Sequence, residues 1–300
     1  SDDPYRPLQT VKVNIKIYSL PSPPRNLTVT PGDSQNNLAW MQPEDNGGLA
    51  VTGYEVYAST TGNPYNLIAT TTNTSFIHSG LNNGQMYCYK VRAYNSLGKG
   101  GFSNEACGMP SATPSPPLNL QATAGNKQVT LIWNPPTSTG GLTLSGYNIY
   151  YKKEGETIYK LINNTPISTT SYVHINLTNS TTYYYYVTAV NSKGESNPSN
   201  IASATPKGPP TPPRNLGVNP SFTYLQLNWG APISNEGSPI LFYKIYKGTS
   251  SPPNTYIAST TNLSYTDYDV ASNTLYYYQV SAVNAIGESE RSNEATGRLL

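Results

Sequence analysis

One pattern is written three times in this chain of 300 residues, and each copy must therefore fold as the same unit. "PSPPRNLTV" (Pro21–Val29), "PSPPLNLQA" (Pro114–Ala122) and "PTPPRNLGV" (Pro210–Val218) open the copies. "LAW", "LIW" and "LNW" follow, ending at Trp40, Trp133 and Trp229. "GYEVY", "GYNIY" and "FYKIY" then place Tyr54, Tyr147 and Tyr243 at matching offsets. "YCYKVRAYN", "YYYYVTAVN" and "YYYQVSAVN" come last, each before a Gly-containing turn and "SNEA", "SNIA" or "SNEA".

Within a copy the apolar residues recur with period two, broken at short intervals by Gly, Pro, Asn and Asp, which predicts strands and turns and no long amphipathic helix. Alternate residues of a strand share a face. Leu38 and Trp40, Tyr54 and Val56, and Tyr87, Tyr89, Val91 and Ala93 then point into one core, as do their equivalents in the other copies. Each large side chain contributes roughly 1.5–3 kcal/mol on burial, enough for a small sandwich without further staples.

These residues resemble the fibronectin type III family over about residues 21–300. The carriers are a Pro-rich start, a Trp on the second strand, Tyr-x-Val on the third and Tyr-x-x-x-Val-x-Ala-x-Asn on the sixth. The resemblance implies an all-β protein of three tandem seven-stranded antiparallel sandwiches with Greek-key connections. Their expected bounds are residues 21–110, 111–206 and 207–300, with residues 1–20 outside all three. It also implies tyrosine corners at Tyr87, Tyr183 and Tyr276, each hydroxyl bonding backbone near the preceding loop. The connectors "PSATPSPP" (Pro110–Pro117) and "PKGPPTPP" (Pro206–Pro213) are proline-rich and semi-rigid. An elongated array on the order of 100 Å is expected, and a globular maximum dimension in small-angle scattering would contradict it.

Charged residues make up 11% of the chain and the net charge is +2, which leaves no field to gather nucleic acid. No apolar run approaches the roughly 18–20 residues of a spanning helix. Neither a GxSxG elbow, an HExxH helix nor a P-loop occurs. His78, His174 and Asp267 fill one repeat position and read as structural, facing a sheet surface or edge. Asp267 and Asp269, like Glu44 and Asp45, read as solvated loop carboxylates. No cofactor, metal site or catalytic residue is predicted.

Four sets of residues are candidates for a role. Cys88 and Cys107 fall on neighbouring strands of the first copy, either as a cross-strand disulfide or as two free thiols. Sequons at Asn26, Asn73, Asn163, Asn176, Asn179 and Asn262 lie on loops or outward strand positions. Tyr57, Tyr150, Tyr184, Tyr186, Tyr246 and Tyr277 occupy outward positions of the third and sixth strands. They read either as cross-strand pairs or as a surface for a protein partner or glycan. "TVKVNIKIY" (Thr10–Tyr18) alternates Val11, Val13, Ile15 and Ile17 against polar residues and predicts a strand with one buried face. It is the last strand of a preceding domain, a strand donated to a neighbouring copy, or an edge addition to the first repeat. The reading is a non-catalytic extracellular or cell-surface rod in a filament, surface layer or adhesive stalk. The alternative is a spacer or carbohydrate-binding region of a secreted hydrolase with its catalytic domain upstream.

Overall fold

The computed structural model of the chain describes residues 10–300, and its regular elements there are all β-strands. None of them is a helix long and apolar enough to cross a membrane. The first repeat holds β1 (Arg25–Pro31), β2 (Gln35–Met41), β3 (Gly53–Thr60), β4 (Asn66–Thr71), β5 (Ser75–Ser79), β6 (Tyr87–Asn95), β7 (Gly98–Phe102) and β8 (Ala106–Gly108). The second holds β9 (Leu118–Gly125), β10 (Gln128–Asn134), β11 (Leu144–Lys153), β12 (Lys160–Leu161), β13 (Ser171–His174), β14 (Tyr183–Asn191), β15 (Gly194–Glu195) and β16 (Ala202–Ala204). The third holds β17 (Arg214–Pro220), β18 (Leu225–Gly230), β19 (Ile240–Gly248), β20 (Thr255–Thr260), β21 (Ser264–Asp267), β22 (Tyr276–Asn284) and β23 (Ala295–Gly297).

Each repeat forms two antiparallel sheets. In the first, β1-β2-β5 is one sheet and β4-β3-β6 is the other, with β7 and β8 both on β6 as two pieces of one interrupted last strand. The second repeats this order, and the third does so with β23 alone closing the sheet. Each repeat is thus a seven-stranded sandwich, as the resemblance implies. By contacts the chain divides into two compact units. One runs to Ser115 and takes in Ser138–Leu144 and Val190–Glu195, and the other comprises Pro116–Thr137, Ser145–Ala189 and Ser196–Leu300.

The alternating residues meet between the sheets. Trp40, Trp133 and Trp229 are buried, each with a tyrosine ring edge-on at 5.5, 5.5 and 5.7 Å from Tyr54, Tyr147 and Tyr243. Tyr89, Tyr185 and Tyr278 have no exposed surface at all. The corner tyrosines act as expected: Tyr87, Tyr183 and Tyr276 accept the backbone N–H of Asn82, Thr178 and Ala271 at 3.2, 3.0 and 3.0 Å.

Two short motifs acquire a role in the fold. Asn26, Asn119 and Asn215 sit in the left-handed region at φ 55°, 55° and 54°, beside shifts in the pairing of the first two strands. Asparagine tolerates that conformation where most residues do not. In the "SN" pairs, Ser103, Ser199 and Ser292 each accept a backbone N–H of the sixth strand, from Val91, Val187 and Val280. The neighbouring Asn104, Asn200 and Asn293 bridge both backbone groups of Leu27, Leu120 and Leu216.

The N-terminal segment departs from its prediction. Residues 10–24 form no strand, and Val11, Val13, Ile15 and Ile17 are 77, 71, 78 and 85% exposed. The expected buried face has no partner among the described residues. Residues 1–9 of the predicted 1–20 segment lie outside them.

Candidate interaction surfaces

One repeat position behind the sixth strand couples to the core. His78 and His174 place Nδ1 3.0 and 3.1 Å from the hydroxyls of Tyr89 and Tyr185. Burial holds both imidazoles below the usual histidine range, so each neutral ring shares a hydrogen bond with its tyrosine hydroxyl. In the third repeat Asp267 accepts from Tyr278 at 2.7 Å and pairs with Lys247 at 2.9 Å. Both ions are nearly excluded from water, and Lys247 also reaches the carbonyl of Asp269 and the face of Tyr276. Asp267 is therefore no solvated turn carboxylate, although Asp269 is fully exposed. The sequence hinted at this exchange. The position of Lys247 is Ala58 in the first repeat and Tyr151 in the second, where the tyrosine ring packs edge-on 4.6 Å from His174.

The outward tyrosines part company. In the first repeat Tyr57 donates to Glu55 at 2.8 Å, and Arg92 and Lys99 reach the same carboxylate at 2.8 and 2.6 Å. Burial would raise the Glu55 carboxyl, but the hydrogen bonds from Lys99, Tyr57 and Arg92 outweigh it and hold the group at about 2. The third repeat reverses the charges. Lys244 stands in place of Glu55 and Glu288 in place of Lys99, 2.7 Å apart, with Tyr246 and Ser281 donating to Glu288. Burial again acts upward, and the bonds from Lys244, Ser281 and Tyr246 bring Glu288 down to about 2. Tyr246 does not face solvent as expected. It is buried, with the Arg291 guanidinium 3.8 Å above its ring, because a long cationic side chain can lie flat on an aromatic face.

The second repeat carries Asn148 and Glu195 at the ion-pair positions. Its sheet face also carries an aromatic cluster. Tyr150 stacks on Tyr186 with centroids 4.7 Å apart, Tyr159 packs on Tyr186 at the same distance, and Lys152 lies 5.1 Å from the Tyr159 ring and 5.8 Å from Tyr184. Tyr57, Tyr150, Tyr184, Tyr186 and Tyr277 are all half-buried. Sequence reading missed Tyr159, which lies outside the quoted motifs; the ladder register places it where the first repeat has Tyr65.

Cys88 lies opposite Cys107 in the ladder, and their sulfurs are joined at 2.03 Å. Among the sequons, Asn26, Asn73, Asn176 and Asn262 are exposed. Asn163 and Asn179 depart from the expected accessibility. The Asn163 amide nitrogen donates to the Tyr147 and Thr165 carbonyls at 3.0 and 2.8 Å. Asn179 is buried, and its amide nitrogen donates to Asn126 and Glu236, both at 2.9 Å.

The pattern of the fibronectin type III domain matches residues 22–107, 115–205 and 211–298, most of the chain. The chain belongs to the fibronectin type III family. As a fibronectin type III chain it is 31% identical over 279 residues to exoglucanase B of Cellulomonas fimi, covering 87% of this chain and 24% of that protein. It is 33% identical over 180 residues to a Kelch domain-containing protein of Saccharolobus solfataricus, covering 59% of this chain and 23% of that one. Titin of Drosophila melanogaster is 26% identical over 300 residues, covering 92% of this chain and 2% of titin. The chain thus spans about a quarter or less of each of these relatives.

Proposed function

We propose that this tandem fibronectin type III chain is a non-catalytic extracellular interaction rod of a surface filament, surface layer or adhesive stalk, and that its second module carries the contact face. The observation behind this is the Tyr150, Tyr159, Tyr184 and Tyr186 cluster beside Lys152, at positions where the first module has Tyr57, Tyr65, Cys88 and Lys90 and the third has Tyr246, Asn254, Tyr277 and Gln279. Stacked tyrosines offer area and hydroxyls at low entropy cost, which suits a protein partner or a glycan. Neither the geometry nor the charge calls for a nucleic acid. Replacing Tyr184 and Tyr186 with Ser is expected to weaken assembly or partner binding while circular dichroism keeps its native β signal. Electron microscopy of fibres or layers is the readout, and normal assembly by the double variant would overturn the reading.

The likeness to an exoglucanase favours a second reading, a spacer or carbohydrate-binding region of a secreted hydrolase. In that case the Ser variants leave any assembly untouched and weaken retention on insoluble polysaccharide.

A further inference from the structure

The segment at Thr10–Tyr18 has four branched aliphatic side chains in solvent, and the repeat itself says what it should be covering. Three hydrogen bonds fasten the chain where it enters each module. Ser19, Ala112 and Gly208 donate their N–H to the carbonyls of Gly47, Gly140 and Glu236, each at 2.9 Å. Their own carbonyls accept the amides of Asn95, Asn191 and Asn284, each at 2.8 Å. Three residues on, Ser22, Ser115 and Thr211 donate to Asp45, Ser138 and Ser234. The three accepting residues Gly47, Gly140 and Glu236 all have positive φ, 71°, 70° and 52°. These bonds align Ser19 with Ala112 and Gly208 without a gap.

Counting back six residues from Ala112 and from Gly208 reaches the first residues of β8 and β16, the last strands of the modules before those entries. The same count from Ser19 reaches Val13. Val13 and Ile15 then stand where Ala106 and Gly108, or Ala202 and Ala204, turn inward, with Asn14 outward like Cys107 and Ser203. Ile17 and Tyr18 match Pro110 and Ser111, whose carbonyl and N–H bond the preceding module at Gly84 and Gly32, and Pro206 and Lys207, which bond Ser180 and Gly125.

The first and third modules are closed to this strand. Ile15 corresponds to Gly108 and Gly297, where even a Cβ atom would lie 2.5 Å from Val29 Cγ1 or Val218 Cγ1. A β-branched valine cannot swing out of the way, so an isoleucine there is excluded and exchange of last strands between copies is closed to those modules. The "SN" pair that ties the other last strands is also missing, since Thr10 and Val11 occupy its positions.

We infer that residues 11–17 are the closing strand of a further β-sandwich on the same polypeptide, N-terminal to the first module and with a roomier inner face. Its sixth strand receives the ladder, its core receives Val13 and Ile15, and its loops receive the Ile17 carbonyl and the Tyr18 N–H. This inference is independent of what the tyrosine face binds, and its failure would leave that reading standing.

Hydrogen exchange read by mass spectrometry tests it on two proteins, the 300-residue chain and the polypeptide extended through whatever precedes it. In the 300-residue chain the Val13–Ile15 amides should exchange like an unstructured peptide, and in the longer protein slower by about 100-fold or more, as expected for ladder amides. Ile15→Asp in the longer protein should abolish that protection and lower the melting of the preceding sandwich, with the three modules melting as before. Fast exchange in both proteins overturns the inference. So does protection in the 300-residue chain together with a dimer mass in light scattering, which would mean donation to a second copy.

Discussion

Single side chains divide into those that serve the core and those that tune it. The indole N–H groups of Trp40, Trp133 and Trp229 are buried without an acceptor, so the packing of each ring must outweigh an unpaired donor. The buried pair Asp267–Lys247 is the more exposed to mutation. Asp267→Ala strands a buried ammonium and should cost about 3–5 kcal/mol in a denaturant melt of the third module. The double variant Asp267→His with Lys247→Ala copies the first module and should recover most of that loss; if it does not, the two solutions are not interchangeable. At the sequons, peptide mapping of protein made in a glycosylating host should find sugar at some of Asn26, Asn73, Asn176 and Asn262. Asn163 and Asn179 should stay bare, because their amide protons are already committed to the fold.

At the scale of strands, the sixth strand gathers most of the devices. It holds the corner tyrosine, the buried tyrosine, one half-cystine and the linker-binding asparagine within Tyr87–Asn95. The Cys88–Cys107 bond closes a loop of 19 residues. By the loop-entropy argument its reduction should cost the first module about 3 kcal/mol. Calorimetry with and without reductant should therefore move one transition downward and leave the others in place. Much of this was legible beforehand: the repeat phased Trp40, Tyr54 and Tyr89 correctly because period two permits only one inward set. What the alternation of Val11 to Ile17 could not say is where its partner lies. Alternation specifies a face, and only a second strand makes that face buried.

For the whole molecule, the modules answer acid differently. His78 and His174 have folded pKa values below their unfolded value, so their contribution is complete above about pH 6.5 and fades as pH falls toward the lowered folded values. Glu55 and Glu288 are held at about 2, so the stability they add is present above about pH 4.5 and disappears as pH falls toward 2. Of these four groups the first module contains one of each kind, the second the histidine and the third the glutamate. Glu105 and Glu156, also lowered by hydrogen bonds from Tyr65 and Lys160, lie at the surface where solvent screens them. Single-tryptophan variants retaining Trp40, Trp133 or Trp229 can follow each module separately. Between pH 7 and 5 the first two should lose thermal stability and the third should hold; between pH 4.5 and 2.5 the first and third should fall. Equal slopes in all three modules would mean these groups do not set the response.

The amino-acid sequence by itself determined the number of modules, their sheets and the residues between them, because a repeated period-two pattern with fixed turns leaves one consistent way to bury its aromatics. Tertiary structure alone decided which outward residues stay available. Tyr57 is consumed by Arg92 as well as its near neighbour Glu55, Tyr246 by Glu288 and Arg291, and Asn179 by Asn126 and Glu236; all of these partners but Glu55 lie tens of residues away in the chain. Local pattern fixes the direction in which a side chain points, whereas what it meets there depends on segments brought close only by folding.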